Sequence, residues 1–232
     1  MLSRFRTGDD VVNEDPTFHE LRTGFTAAVS HELRTPLARI LALLENAGLP
    51  GADVHALIDQ ARAEVESAGE LIDEILFLSE LESGREIVAL TPTQARPILD
   101  HVVERLADAA ARAGVTLSVE GETTLPLRPR MIRIVGENLA ENAIRYAGHG
   151  STVVFELGPG QFTVRDDGIG VGERDLPRLF ERFYRSDAAR TSRGTGLGLA
   201  IVKHIVSAAG GTVEARSTRG AGLEIRCSFP VA

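Results

Sequence analysis

Between Thr17 and Ala47, Leu33, Leu37, Ile40/Leu41 and Leu44 recur at spacings of three and four, and Leu21, Phe25 and Ala28 continue the stripe upstream. That period places them on one face of a helix. Gly48-Leu49-Pro50-Gly51 interrupts it, since glycine and proline punctuate helices. A second helical pattern runs from Ala52 to Glu82, with Val54, Ile58, Ala61, Val65, Ala68, Ile72 and Ile75 as its stripe, and Ser83-Gly84 closes it. Two long helices joined by a short turn predict an antiparallel hairpin. A lone hairpin cannot bury both stripes, so the pattern predicts a homodimer built as a four-helix bundle.

Past Gly84 the period changes. Ile87–Leu90 is a short strand candidate, 95–113 reads as a helix, and Val115–Val119 alternates as a strand does. Met131–Tyr146 reads as a helix. Thr152–Leu157 and Gln161–Arg165 form a hairpin pattern through Gly158-Pro159-Gly160. A helix is expected over Leu197–Ala208, then strands over Gly211–Arg216 and Leu223–Phe229. Strands and helices mixed without strict alternation predict an α+β sandwich with one sheet covered by helices. The expected organisation is a lead-in over 1–16, a helical hairpin over 17–84 and an α/β domain over 85–232, with a hinge near Ser83-Gly84-Arg85.

With 43% hydrophobic and 25% charged residues among 232, the chain has the composition of a globular protein and not of a disordered one. The net charge of −8, with no basic block, argues against a nucleic-acid partner. A single cysteine, Cys227, excludes an internal disulfide and a cysteine metal site, and fits a reducing, cytoplasmic setting. It sits in the alternating run Leu223–Phe229, where it reads as a packing residue. No apolar run is long enough to span a membrane. Either the protein is soluble or a membrane-bound sensor region lies outside this chain.

Several clusters carry chemistry. Asp166-Asp167-Gly168-Ile169-Gly170 follows a strand, and Arg193-Gly194-Thr195-Gly196-Leu197-Gly198-Leu199 precedes a helix. Glycine lets a backbone approach a ligand closely, and a helix N-terminus offers N–H groups to an anion. Each motif alone is a weak signal that reads first as an ordinary turn; together they suit the base and phosphates of a nucleotide. Asn138 and Asn142, one turn apart, share a helical face. Their carbonyl oxygens suit Mg²⁺, and they suit equally the capping or cross-linking of nearby loops. In Ser30-His31-Glu32-Leu33-Arg34-Thr35-Pro36-Leu37, a histidine stands beside an acid, with a proline inside the helix that costs about 3 kcal/mol and suggests a bend.

In combination these blocks resemble the sensor histidine kinases of bacterial two-component systems. His31–Pro36 is similar to the family's H box and Asn138–Tyr146 to its N box. Asp166-x-Gly168-x-Gly170 resembles the first glycine box, Phe180–Arg185 the F box and Gly194–Leu199 the second glycine box. Leu78–Gly84 looks like the usual end of the second dimerisation helix. All five boxes occur in family order across residues 20–230.

The resemblance implies ATP and Mg²⁺ as cofactors, autophosphorylation of His31, and transfer to an aspartate of a response-regulator receiver domain. By it, Glu32 orients the His31 ring and takes up its proton. Thr35 orients water for a phosphatase activity on the phosphorylated regulator. Asn142 coordinates Mg²⁺ with Asn138 in support, Asp166 accepts from the adenine amine, and Tyr146 lines the base or ribose pocket. Arg145, where the family usually has lysine, contacts phosphate, as do Arg182 and Arg185. Phe180 and Phe183 pack a lid over 186–193. Gly194, Thr195, Gly196, Leu197 and Gly198 hold phosphates, and Gly168 and Gly170 shape the base pocket. The sequence departs from the pattern at Leu127–Arg130, which lacks an acid, and at Arg193, where a small residue is common. The rival expectations are another ATPase of the wider gyrase and Hsp-type superfamily, or a non-enzymatic scaffold; covalent phosphate on His31 separates them from a kinase.

Overall fold

A computed structural model describes residues 16–86, 88, 92–186 and 194–230. The lead-in, most of the Ile87–Leu90 strand candidate, and nearly all of the 186–193 lid lie outside the described residues. Contacts divide the chain into two units, with the division inside the second helix, after Ala68.

In the first unit, helix α1 (Pro16–Ala47) runs through Pro36, and helix α2 begins at Val54. Asp53 caps α2, its Oδ1 accepting from the Ala56 N–H at 3.2 Å. Arg39 and Glu64 pair at 3.5 Å between the two helices. The apolar residues fall on two adjacent faces. Leu33, Ile40, Leu43 and Leu57 are half-buried, whereas Leu37, Leu41, Leu44, Ile58 and Val65 are exposed.

In the second unit, α2 continues to Glu82 and ends at Gly84 in the left-handed conformation, with the Arg85 N–H returning to the Glu80 carbonyl. The α/β body follows. Helix α3 (Arg96–Ala113) and helix α4 (Pro129–Tyr146) lie with α5 (Gly198–Ala208) against a five-stranded sheet. Its strands are β2 (Thr116–Gly121), β4 (Thr152–Gly158), β5 (Gln161–Asp166), β6 (Thr212–Ser217) and β7 (Leu223–Ser228), in the order β2-β4-β5-β7-β6. Only β2 and β4 run parallel, joined by a crossover through α4. A short ladder of β1 (Thr93–Gln94) with β3 (Thr124–Leu125), absent from the sequence expectations, pins the entry to α3.

Alternation decides which sheet face is covered. Val153, Phe155 and Leu157 of β4 point inward with Phe162, Val164, Ile225 and Cys227. They meet Leu99, Val102, Met131, Val135, Leu139, Ile201 and Ile205 from the helices. Gly136 lets α3 and α4 cross closely, because a Cβ there would lie 2.6 Å from Leu99. The other sheet face carries ion pairs, including Arg165–Glu156 at 2.7 Å and Arg226–Glu224 at 3.1 Å. Cys227 is wholly buried, and burial pushes its thiol up to about 12, so it is a packing residue. The α+β fold expected from the sequence is the one observed.

Candidate active site

Asp166 ends β5, only 8% exposed. Its Oδ1 accepts from the Gly168 N–H at 3.0 Å and the Leu223 N–H at 3.2 Å. Burial pushes this carboxyl above its ordinary range, against the two hydrogen bonds, which favour the ionised form. The loop after it is clamped from two sides. A Cβ on Gly168 would stand 2.3 Å from the Ala147 Cα, at the end of α4, and one on Gly170 would stand 2.3 Å from the Thr218 carbonyl. The β6–β7 turn supplies further support. Ser217 Oγ accepts from the Val171 N–H at 2.7 Å and donates to the Gly222 carbonyl at 2.5 Å. Gly222, at φ +83°, lies so close that a Cβ would be 1.8 Å from the Asp166 carbonyl. Ser217 and Gly222 were missed from the sequence; the Gly220-Ala221-Gly222 turn before β7 was the available signal.

The Asn-bearing helix α4 and the second glycine loop meet. Asn138 Nδ2 donates to the Ile134 carbonyl at 2.8 Å. That bond turns Oδ1 toward the start of α5, where a Cβ on Gly198 would come within 2.4 Å of it. Asn138 thus lies against the loop at the start of α5. Asn142 is half-buried one turn further on, and Tyr146 ends the helix, also half-buried. Arg145 reaches Gly194, where an added Cβ would lie 2.1 Å from the guanidinium and the φ of +146° strains any side chain. Leu197 is fully buried and anchors the loop to the core, and its N–H donates to Thr195 Oγ1 at 3.2 Å. Gly196, at φ +73°, lies under the backbone of Phe183, which donates its N–H to the Gly196 carbonyl at 3.0 Å. Phe183 itself has φ +60°, the one non-glycine residue in that region among the described residues. Thus Asn138, Arg145, Gly194, Thr195, Gly196, Leu197 and Gly198 form one cluster. Asp166, Gly168 and Gly170 form a second, against Ala147 at the C-terminal end of α4.

Two acids of α2 belong to this neighbourhood and were not anticipated. Glu74 accepts from Thr195 Oγ1 at 2.5 Å, and Glu82 pairs with Arg182. Phe77 lies under the Arg130 guanidinium, 5.4 Å from the ring centre. Arg185 is half-buried after Tyr184, whose hydroxyl donates to Asp175 at 2.6 Å.

In the first unit, His31 is 75% exposed on α1, with Nδ1 3.6 Å from Glu32 Oε1. The separation is longer than a hydrogen bond. Thr35 Oγ1 faces the His31 carbonyl at 3.4 Å, on the same turn. Arg34, Ala38, Arg39 and Ala42 complete a shallow depression around His31 and Thr35. Among the described residues, no cluster of three His, Cys, Asp or Glu side chains could hold a metal, and no helix is long and apolar enough to cross a membrane.

A family model of the His Kinase A (phospho-acceptor) domain matches residues 19–84, and one of the histidine kinase-, DNA gyrase B- and HSP90-like ATPase matches residues 127–232. Sensor-like histidine kinase SenX3 of Mycobacterium tuberculosis is 32% identical over 228 residues, 90% of this chain and 54% of its own length. Sensor protein QseC of Escherichia coli O157:H7 is 34% identical over 213 residues, 88% of this chain and 47% of its own. The chain thus spans about half the length of the curated relatives it matches. The solved structure of Acinetobacter baumannii histidine kinase AdeS resembles it with a TM-score of 0.68 at 25% identity, covering 86% of this chain and 98% of that one. The mycobacterial sensor histidine kinase MprB gives 0.53 at 26% identity, over 60% and 97%. A histidine on a helical hairpin, followed by an asparagine-bearing helix and then two glycine loops and matched in order by these two models, places the chain in the histidine kinase family.

Proposed function

We propose that the chain is the catalytic core of a sensor kinase, which phosphorylates His31 from ATP and passes the phosphoryl group to an aspartate of a response-regulator receiver domain. The observation that carries this is the close approach of Asn138 and Arg145 to the Gly194–Gly198 loop, with an exposed, acid-flanked histidine on α1. The hairpin over 17–84 and the ATP-binding domain over 85–232 are the functional units.

The mechanism follows from the side chains. His31 Nδ1 faces Glu32, so Nε2 is the nucleophile. The P–N bond forms as the γ-phosphorus–oxygen bond breaks and ADP leaves, while Glu32 draws the ring proton. Asp166 Oδ1 is committed to the backbone, and its other oxygen accepts from the adenine amine. Tyr146 borders the base or ribose. Arg145, Arg182, Arg185, Thr195 and the glycine N–H groups hold phosphate.

The donor set fits a magnesium ion. Neutral carbonyl oxygens on one face of α4, without a carboxylate triad among the described residues, suit an ion bound mainly by phosphates and water. Asn142 would be its ligand, and Asn138, which lies against the α5 start, would support the same site. The ion would neutralise phosphate charge.

Thr35 stands one turn from His31 and orients the water of a phosphatase step on the phosphorylated regulator. The exposed stripe of Leu37, Leu41, Leu44, Ile58 and Val65 supports a homodimeric bundle. We place the chain in the cytoplasm, as the cytoplasmic part of a membrane sensor.

The test is incubation with γ-labelled ATP and Mg²⁺ beside His31→Gln and Asn142→Ala. Acid-labile, alkali-stable label on the wild type and on neither variant is expected. Label retained by His31→Gln refutes the assignment. Thr35→Ala is expected to keep kinase activity and lose phosphatase activity; unchanged phosphatase activity refutes that role.

A further inference from the structure

We propose that the C-terminal part of α2 is an internal anion that competes with the nucleotide's phosphates, with Glu74 on Thr195 and Glu82 on Arg182. This rests on the assignment of the Gly194–Gly198 loop to phosphate.

Residues of the loop and its surroundings are already engaged. Thr195 is the hydroxyl of the glycine loop, and its proton goes to a carboxylate oxygen of Glu74 at 2.5 Å. Arg182, a cation of the segment before that loop, pairs with Glu82 two turns further along α2. Arg145, which borders Gly194, also acts electrostatically on Glu74. A carboxylate thus meets a hydroxyl donor and a guanidinium, the partners a phosphate oxygen requires. Between them Phe77 lies under Arg130, so this stretch of α2 is seated by three side chains spaced along one helical face.

The contact is built to open. Burial pushes the Glu74 carboxyl upward, Glu141 and Glu70 push the same way, and only the Thr195 hydrogen bond and Arg145 oppose them. An ionised Glu74 is therefore held at a cost, whereas a nucleotide phosphate carries more charge and accepts more donors. ATP entry displaces α2 from the loop, and seating of α2 lowers apparent ATP affinity by the fraction of molecules in which it is seated.

The test uses the full chain, with Mg²⁺ and fluorescent N-methylanthraniloyl-ATP as the probe. Unlabelled ATP and adenosine are the competitors, and Glu74→Ala and Glu82→Ala are the variants. Glu74→Ala is expected to tighten ATP about tenfold, the worth of one charge-assisted bond, and to leave adenosine unchanged, because adenosine has no phosphate to compete. Glu82→Ala is expected to shift ATP in the same direction. In the wild type, saturating ATP is expected to raise amide hydrogen exchange over 69–82. Equal gains for ATP and adenosine, no gain for ATP, or ATP binding without a change in exchange each overturn the proposal and leave the nucleotide site standing. Failure of every protein to bind ATP overturns the nucleotide assignment itself, and the competition with it.

Discussion

Gly222→Ala should unfold the ATP-binding domain well below the temperature at which Gly220→Ala unfolds it, although the two glycines share one turn. Both have left-handed backbones, φ +83° and +81°. A side chain in that region costs about 1–2 kcal/mol, and both variants bear this cost. They differ in what the new methyl meets. At Gly220 there is nothing within 4 Å. At Gly222 the Cβ would lie 1.8 Å from the Asp166 carbonyl oxygen and 2.9 Å from the Asp167 Cα. Carbon contacts relax near 3.5–4.0 Å, so turn or loop must retreat by roughly 2 Å. Overpacking costs about 1–3 kcal/mol, and the upper end applies because the obstacle is backbone, with no rotamer to move. Gly222→Ala should therefore lose about 3 kcal/mol more than Gly220→Ala, a further fall of about 6–12 °C in Tm for a domain of this size. The chain has no tryptophan, and its two tyrosines, Tyr146 and Tyr184, both lie in this domain. Tyrosine fluorescence thus follows its unfolding alone. Melting temperatures within about 2 °C of each other would refute the claim that the β6–β7 turn braces the Asp166 loop.

Other perturbations test other parts of the structure. Asp166→Asn keeps an oxygen to accept from Gly168 and Leu223 and removes a buried charge. Because the folded carboxyl is raised, ionisation lowers stability as pH rises through its folded value. The variant should melt above wild type at neutral pH, with the gap closing below the ordinary carboxylate range, and a fixed gap across a pH series would contradict this. Cys227, held at about 12 by burial, should react with iodoacetamide at pH 8 only as fast as the domain opens, so alkylation in urea should track unfolding; fast labelling of the native chain would show that the strand is accessible. Gly69→Ala in α2, with nothing within 4 Å of the new Cβ, should raise stability by up to ~1 kcal/mol in denaturant unfolding, and a loss would mean the helix does not run straight through this position.

The sheet and its helices were legible because each strand has one wet and one dry face. Val153, Phe155 and Leu157 alternate with polar or half-covered neighbours, and the helices announce themselves through a 3.6 period ended by glycine or proline. The β1–β3 ladder was not legible, since two residues cannot display a period. In the hairpin, a single stripe was expected on each helix, but apolar residues occupy two adjacent faces. The sequence stripe mixes those half-covered by the neighbouring helix, such as Leu33 and Ile40, with those left exposed, such as Leu37 and Leu41. Apolar character alone does not say which neighbour covers a residue.

The candidate site divides in the same way. Gly194, Gly196 and Gly198 are visible as a motif because glycine is the residue that tolerates the positive φ and close approaches found there. Asn138 was visible, but its partner was not: a carbonyl facing Gly198 and one facing an ion require the same residue at the same spacing. Glu74 and Glu82 were invisible for a stronger reason. On an isolated helix they are two more solvated acids, and only packing brings them to Thr195 and Arg182, 121 and 100 residues away in sequence. The helical period crosses Ala68 without a break, so nothing local marks where α2 leaves one unit and joins the other. The division falls inside one helix rather than at a linker. A device that regulates the phosphate loop can therefore be written into an ordinary amphipathic helix by placing two acids on the correct turns, at no cost to the pattern that makes it a helix.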